Sequence, residues 1–135
     1  MDKTIRWKQR FQNLKSASVL FFEAAKRDDL NMLEMEGLVQ RFEYTFELCW
    51  KTLKDLFESK GIYLKFPRDI LKEAFQHEFI NDGEVWLDML DSRNILSHNY
   101  NKEIFLTLIK NIQKVFTPEL EFLLIKLSEE DTNEK

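Results

Sequence analysis

The chain of 135 residues contains few of the residue types that make turns and cross-links: three glycines, two prolines and one cysteine. All-β folds need many turns, so this scarcity predicts long helices joined by few connections. The single cysteine, Cys49, excludes a disulfide framework and a paired-cysteine zinc site, and it is typical of a reducing cytoplasm. No stretch resembles a signal peptide, and no apolar run approaches the length of a membrane span. We therefore expect one cytoplasmic domain that does not enter a membrane.

An excess of positive charge is also missing. The net charge is −4 although 33% of the residues are charged, which argues against a protein that binds nucleic acid through general positive charge. A small local basic site is compatible with this balance. The two histidines, His77 and His98, and the one cysteine give no metal-ligand spacing, so we expect no metal and no other cofactor.

Apolar residues recur at three- and four-residue steps along most of the chain, which predicts helices. The predicted helices cover residues 3–26, 32–60, 68–79, 82–97 and 102–127. On the third helix, Leu71, Ala74 and Phe75 are expected to face inward. Pro118 falls inside the last helix and removes a backbone hydrogen bond, so we expect a kink there without a loss of register.

The expected fold is all-α: an antiparallel up-and-down bundle of four or five helices, with the last helix kinked at Pro118. The bundle should form a single domain of residues 1–128, followed by a charged flexible tail at residues 129–135. Twelve phenylalanines and three tryptophans are many for this length. Some of these rings are expected to exceed the capacity of the core and to form a dimer face.

Several reactive or aromatic side chains are better explained by structure than by chemistry. Cys49 lies on an apolar helical stripe and should be a buried small residue. His77 lies in a charged helix and should be on the surface. Trp50 and Trp86 should belong to the core or to an interface.

The segment of residues 91–100 is more polar than a core-facing helix requires. It contains Arg93, Asn94, His98 and Tyr100. An arginine can hold a phosphate by two parallel hydrogen bonds, and a histidine can move protons near neutral pH. A tyrosine can stack on a base, orient the histidine or accept a transferred group. Together they suit metal-free cleavage of a phosphodiester by the ribose 2′-hydroxyl; the alternative is a structurally paired arginine and a histidine that caps the helix.

The helical phase constrains Arg93. On a regular helix it continues the apolar stripe of Trp86 and Leu90. An unpaired buried guanidinium is very costly, so Arg93 needs an acidic partner or a phosphate. Glu43 and Glu47, at the border of the second helix's apolar face, are candidate partners.

The same phase separates His98 from Arg93. Five positions correspond to about 140° around an ideal helix, whereas Tyr100 shares the face of Arg93. The histidine and the arginine can meet if the helix ends near Ser97. Alternatively, two copies of the chain complete one groove across a twofold axis.

These residues carry a family resemblance. Arg93-Asn-Ile-Leu-Ser-His98-Asn-Tyr100 matches the R-x4-H-x-Y motif of HEPN domains, and the chain resembles the toxin half of bacterial HEPN/minimal-nucleotidyltransferase pairs. Three further segments are similar to the branch named nucleotidyltransferase substrate-binding proteins: residues 40–55, 67–75 and 83–90. The resemblance covers nearly the whole chain.

The resemblance implies a homodimeric helical bundle with the motif in a cleft at the interface. Arg93 and His98 would serve metal-independent RNA cleavage, Asn94 would be a supporting polar group, and Tyr100 would be the position at which a partner nucleotidyltransferase attaches AMP. The alternative is a non-catalytic subunit that binds a nucleotide or another substrate for that partner. The chain lacks the nucleotidyltransferase's own Gly-Ser and paired-Asp signature, so any transferase activity would belong to the partner.

Overall fold

The computed structural model describes residues 2–98 and 101–134, with backbone alone at 95–98. Within these residues all regular structure is helical, which confirms the predicted all-α bundle. The elements are α1 (Lys3–Ala25), α2 (Met32–Ser59), α3 (Pro67–Gln76), α4 (Gly83–His98), α5 (Lys102–Asn111), a π-helical turn (Ile112–Phe116) and α6 (Thr117–Asn133). None of the helices in the described part of the chain is both long enough and apolar enough to cross a membrane.

The three long helical stretches pack side by side. Helices α1 and α2 are antiparallel, because Arg10 Nε lies 2.6 Å from Asp55 Oδ2 near one end and Arg41 donates a 2.7 Å hydrogen bond to the Leu20 carbonyl near the other. Contacts at both ends also show that the stretch α5–π–α6 is antiparallel to α1. Gln113 donates to the Ala25 carbonyl at one end, and Lys8 pairs with Asp131 at the other. Helices α3 and α4 complete the bundle.

Local sequence signals set the ends of α2. Asn31 and Glu34 form a reciprocal capping box at its start, with hydrogen bonds of 2.8 and 2.9 Å. At its end Gly61 has a φ of 83°, and the Ile62 amide donates to the Phe57 carbonyl at 2.8 Å. A glycine with a positive φ just after the last helical residues is a common way for a helix to end.

Helix α3 is shorter than predicted. It ends at Gln76 rather than near residue 79, because Glu78 adopts a left-handed φ of 64° and the Phe79 amide turns back to the Ala74 carbonyl at 2.9 Å. Phe75 was predicted to face inward, but 52% of it is exposed. The buried side of α3 consists of Ile70, Leu71 and Ala74.

Pro118 is accommodated by a change of helix type. A π-helical turn, Ile112–Phe116, lies just before the proline and separates α5 from α6. The Ile112 carbonyl accepts from the Thr117 amide, five residues on, and from the Thr117 hydroxyl at 2.6 Å. Pro118 therefore falls in the first turn of α6, where its missing N–H costs nothing.

A row of aromatic rings crosses the core and sets the position of α4. Phe42 of α2 stacks on Phe116 and on Phe46, with ring centroids 5.4 and 6.0 Å apart. Phe46 in turn stacks on Trp86 of α4 at 6.1 Å. The start of α4 is also anchored to α6, because buried Glu119 accepts a 2.9 Å hydrogen bond from the Asp82 amide.

Most of the segment that was predicted to be a charged tail is helical. Helix α6 continues to Asn133, and its acidic end faces basic side chains of the first two helices. Lys8 pairs with Asp131 at 3.3 Å, Lys60 pairs with Glu130 at 3.1 Å, and the indole N–H of buried Trp7 donates to Glu134 at 3.0 Å. The charges of this segment therefore have specific partners on the bundle.

Deleting residues 130–135 should destabilise the protein. The deletion leaves the buried Trp7 indole N–H without its acceptor, which should cost about 1–3 kcal/mol. Urea unfolding followed by tryptophan fluorescence measures the loss, and deleting residue 135 alone is the control. An unchanged free energy of unfolding in the longer deletion would mean that these end contacts contribute nothing.

Candidate functional site

The candidate site lies on the second half of α4. Trp86 and Met89 are fully buried against the core, and Leu90 is nearly so. One turn after Met89 and Leu90, Arg93 continues this face with 25% of its side chain exposed. The predicted helical phase is therefore confirmed: an arginine occupies the position at which the apolar stripe reaches the surface.

Glu47 of α2 is the acidic partner of Arg93. The Arg93 Nη1 donates to Glu47 Oε1 in an ion pair, and the Glu47 side chain is 31% exposed. The Arg93 Nη2 lies 3.4 Å from Asn94 Oδ1, at the long end of hydrogen bonding. Of the two candidates that the sequence offered, the pair involves Glu47. The guanidinium is thus held from α2 on one side and lies near its neighbour's amide on the other.

The second oxygen of Glu47 is also occupied. Trp50, one turn further along α2, donates its indole N–H to Glu47 Oε2 at 2.7 Å. The carboxylate is therefore fixed between an indole and a guanidinium, which restricts its rotation. Sequence reasoning missed this role of Trp50, which was expected to be a core or interface residue; the three-residue spacing from Glu47 is the signal that identifies it.

Glu43 adds a second carboxylate beside the ion pair. Partial burial raises the pKa of Glu43, and the negative charge of Glu47 raises it further. Two carboxylates therefore lie close together on this side of α2, and one of them, Glu47, is paired with Arg93.

Of the other motif residues, Asn94 is described with its side chain. Asn94 is exposed, so its amide can reach a ligand beside Arg93. Helix α4 runs to His98, and Asn101 caps α5 through a 2.9 Å hydrogen bond from the Ile104 amide. The side chain of His98 and all of Tyr100 lie outside the described residues, so their expected positions stay predictions.

Other reactive side chains lie away from this site. Cys49 is completely buried, and burial raises the pKa of its thiol, so it is a core residue as expected. His77 is exposed next to α3, with Nε2 3.4 Å from Glu73 Oε1, in agreement with the predicted surface position. Arg68 and Asp91 form an exposed ion pair at 3.3 Å on the outer side of α4.

The Glu47→Gln substitution should lower the pKa of Glu43. The substitution removes the negative charge that raises this pKa, whereas the larger effect of burial remains, so the pKa should fall part of the way towards its ordinary value. A pH titration of the side-chain carboxyl carbons by NMR measures it. Glu58→Gln, elsewhere on α2, is the control, and a Glu43 pKa that stays constant or rises contradicts the arrangement.

Comparisons with known proteins agree with this architecture. Residues 9–129 match the family described as nucleotidyltransferase substrate binding protein like. A Haemophilus influenzae protein named probable ribonuclease HepT is 34% identical over 96 residues, which cover 67% of this chain and 65% of that protein. The matched region thus spans slightly less than two thirds of the relative's length.

Two solved structures share the fold. A crystal structure from Thermus thermophilus superposes with a TM-score of 0.77 and 27% identity, covering 84% of this chain and 98% of that one. A Haemophilus influenzae protein, described as showing the fold of a substrate binding domain of a nucleotidyltransferase, superposes with a TM-score of 0.64 and 27% identity, covering 93% and 98%. The family match spans most of the chain, in keeping with the resemblance of its motifs, and the chain belongs to the nucleotidyltransferase substrate-binding-protein-like family.

Proposed function

We propose that this protein is a metal-independent endoribonuclease, the toxin of a toxin–antitoxin pair, with Arg93 and His98 as its catalytic residues. The observation that carries the proposal is the guanidinium of Arg93, which is fixed at the edge of the core inside the R-x4-H-x-Y segment. Similarity to a protein named probable ribonuclease supports the reaction class.

The proposed reaction needs a positive group beside the phosphate, a base that takes a proton and an acid that gives one. The ribose 2′-oxygen attacks the adjacent phosphorus, and the bond from phosphorus to the 5′-oxygen breaks. The 2′-hydroxyl proton leaves to a base, and the departing 5′-oxygen takes a proton from an acid. The imidazole of His98 suits one of these transfers, and Arg93 stabilises the charge on the phosphorane oxygens. The products are a 2′,3′-cyclic phosphate and a 5′-hydroxyl.

A homodimer is part of the proposal. Because positions 93 and 98 are about 140° apart on a regular helix, a single regular helix would not direct both side chains to one point. A second copy related by a twofold axis brings a second histidine and a second arginine to the same groove. RNA would bind in this groove, with Asn94 supporting the phosphate contact.

The proposed partner is a minimal nucleotidyltransferase. The description of the family and that of one structural neighbour both refer to a nucleotidyltransferase. Transfer of AMP to Tyr100, two residues after His98, would place a nucleotide in the groove and block RNA. The partner would thereby act as the antitoxin.

A second candidate function is a non-catalytic subunit that binds a nucleotide or another substrate for this nucleotidyltransferase. The specific observation in its favour is the negative charge near Arg93: Glu47 pairs with it, Glu43 lies close enough to Glu47 for their charges to interact, and the chain carries a net charge of −4. Such surroundings disfavour a long polyanion more than they disfavour a single phosphate group held by Arg93.

Expressed without a partner, the wild-type chain should arrest growth and fragment cellular RNA, whereas His98→Ala and Arg93→Lys should do neither. Lysine keeps the charge of Arg93 but loses its two-pronged geometry. RNA integrity on gels and colony counts measure both effects.

His77→Ala and Arg68→Lys are the matched controls, because these side chains are exposed and outside the motif. Both should remain as toxic as the wild type. If the wild type is harmless and RNA stays whole, the toxin function fails; if His98→Ala is toxic, the assignment of the site fails.

Co-expression with the nucleotidyltransferase should add the mass of one AMP to the chain at Tyr100. Tyr100→Phe should stay unmodified and resist neutralisation, since it lacks the accepting hydroxyl. Tyr63→Phe, at an exposed tyrosine away from the motif, should be modified like the wild type. Intact-mass and peptide mass spectrometry detect the added AMP. If the Tyr100→Phe protein carries AMP as the Tyr63→Phe protein does, Tyr100 is not the acceptor.

A further inference from the structure

The carboxylate of Glu47 links two side chains that belong to different helices. Its Oε1 accepts from Arg93 Nη1 on α4, and its Oε2 accepts from Trp50 Nε1 on α2 at 2.7 Å. An arginine side chain has several rotatable bonds, and ordering it costs rotamer entropy. Here the ion pair already restrains the Arg93 side chain in the folded protein, before any ligand binds.

We infer that Glu47 is a positioning residue: it fixes the Arg93 guanidinium in the orientation in which it receives a phosphate group, and Trp50 fixes Glu47. The inference rests on the proposed function for the identity of that phosphate as an RNA phosphodiester. Glu47 itself does not touch the phosphate, because its two oxygens accept from Arg93 and Trp50 and its charge repels an anion.

The charge of Glu47 distinguishes this role from simple binding. A carboxylate beside Arg93 weakens the attraction of the guanidinium for a ground-state phosphate. Fixed orientation matters more in the transition state, in which negative charge on the phosphorus oxygens increases. Loss of Glu47 should therefore lower kcat and leave KM unchanged or reduced.

A merely structural role predicts a different pattern. If the ion pair serves only to hold α4 against α2, then removing it lowers the free energy of unfolding. The folded molecules would cleave RNA with the wild-type kcat. Measuring kcat per folded molecule, with the folded fraction taken from thermal unfolding, separates the two roles.

The test compares Glu47→Gln, Glu47→Asp and Trp50→Phe with the wild type on one RNA substrate. Glutamine cannot accept from both donors, so kcat should fall about 10- to 100-fold. Aspartate keeps the charge and both acceptors at a shorter reach and should restore part of the loss. Trp50→Phe keeps the ring but removes the N–H, and should lower kcat less, again with little change in KM.

Glu58→Gln is the matched control. Glu58 is also a partly buried carboxylate of α2, paired with Lys54 at 2.8 Å, so its substitution should leave kcat and KM unchanged. A Glu47→Gln protein that retains the wild-type kcat overturns the inference. So does a loss of kcat that Glu58→Gln shares.

A second measurement keeps this inference separate from the proposed function. Hydrogen exchange of the Arg93 guanidinium, followed by NMR and assigned through Arg93→Lys, reports its restraint without any RNA. Exchange should accelerate in Glu47→Gln and not in Glu58→Gln. If the wild type leaves RNA intact, RNA cleavage is not the function, and the exchange rates alone test the positioning role. Faster exchange in Glu47→Gln than in the wild type supports that role, and equal exchange rates in the two proteins overturn it.

Discussion

The ion pair between Arg93 and Glu47 is the interaction on which the site depends. Arg93 follows Trp86 and Leu90 on a face that is otherwise apolar, and a guanidinium at the edge of a core requires a compensating charge. Glu47 supplies that charge from α2, and Trp50 restricts the carboxylate in turn. The same ion pair therefore has two effects: it compensates the charge of a partly buried arginine, and it restrains the orientation of the guanidinium.

The rest of the bundle brings these two helices to the required places. The aromatic row from Phe116 through Phe42 and Phe46 to Trp86 determines where α4 lies on α2. Glu119 holds the start of α4 through a backbone amide, and the ion pair secures its second half. The π-helical turn before Pro118 lets the last helical stretch pass the proline while Phe116 stays in the core.

Helical periodicity was sufficient to predict the fold class and the phase of α4, because both depend on the spacing of buried residues. It also offered Glu43 and Glu47 as candidate partners of Arg93, but choosing between them required the crossing of α4 over α2. Periodicity did not predict the features that depend on an unusual backbone conformation or on contacts between residues far apart in the sequence. They include the left-handed Glu78 that ends α3, the π-turn, and the continuation of α6 to Asn133, whose acidic side chains pair with Lys8 and Lys60.

We propose that Arg93 and His98 cleave RNA through the ribose 2′-hydroxyl. The most direct test incubates the purified protein with a short RNA in excess EDTA and determines the ends of the fragments by mass spectrometry. The proposed reaction predicts 2′,3′-cyclic phosphate and 5′-hydroxyl ends, and no cleavage where the nucleotide before the scissile bond is 2′-deoxy. Intact RNA, or cleavage at a 2′-deoxy position, would contradict it.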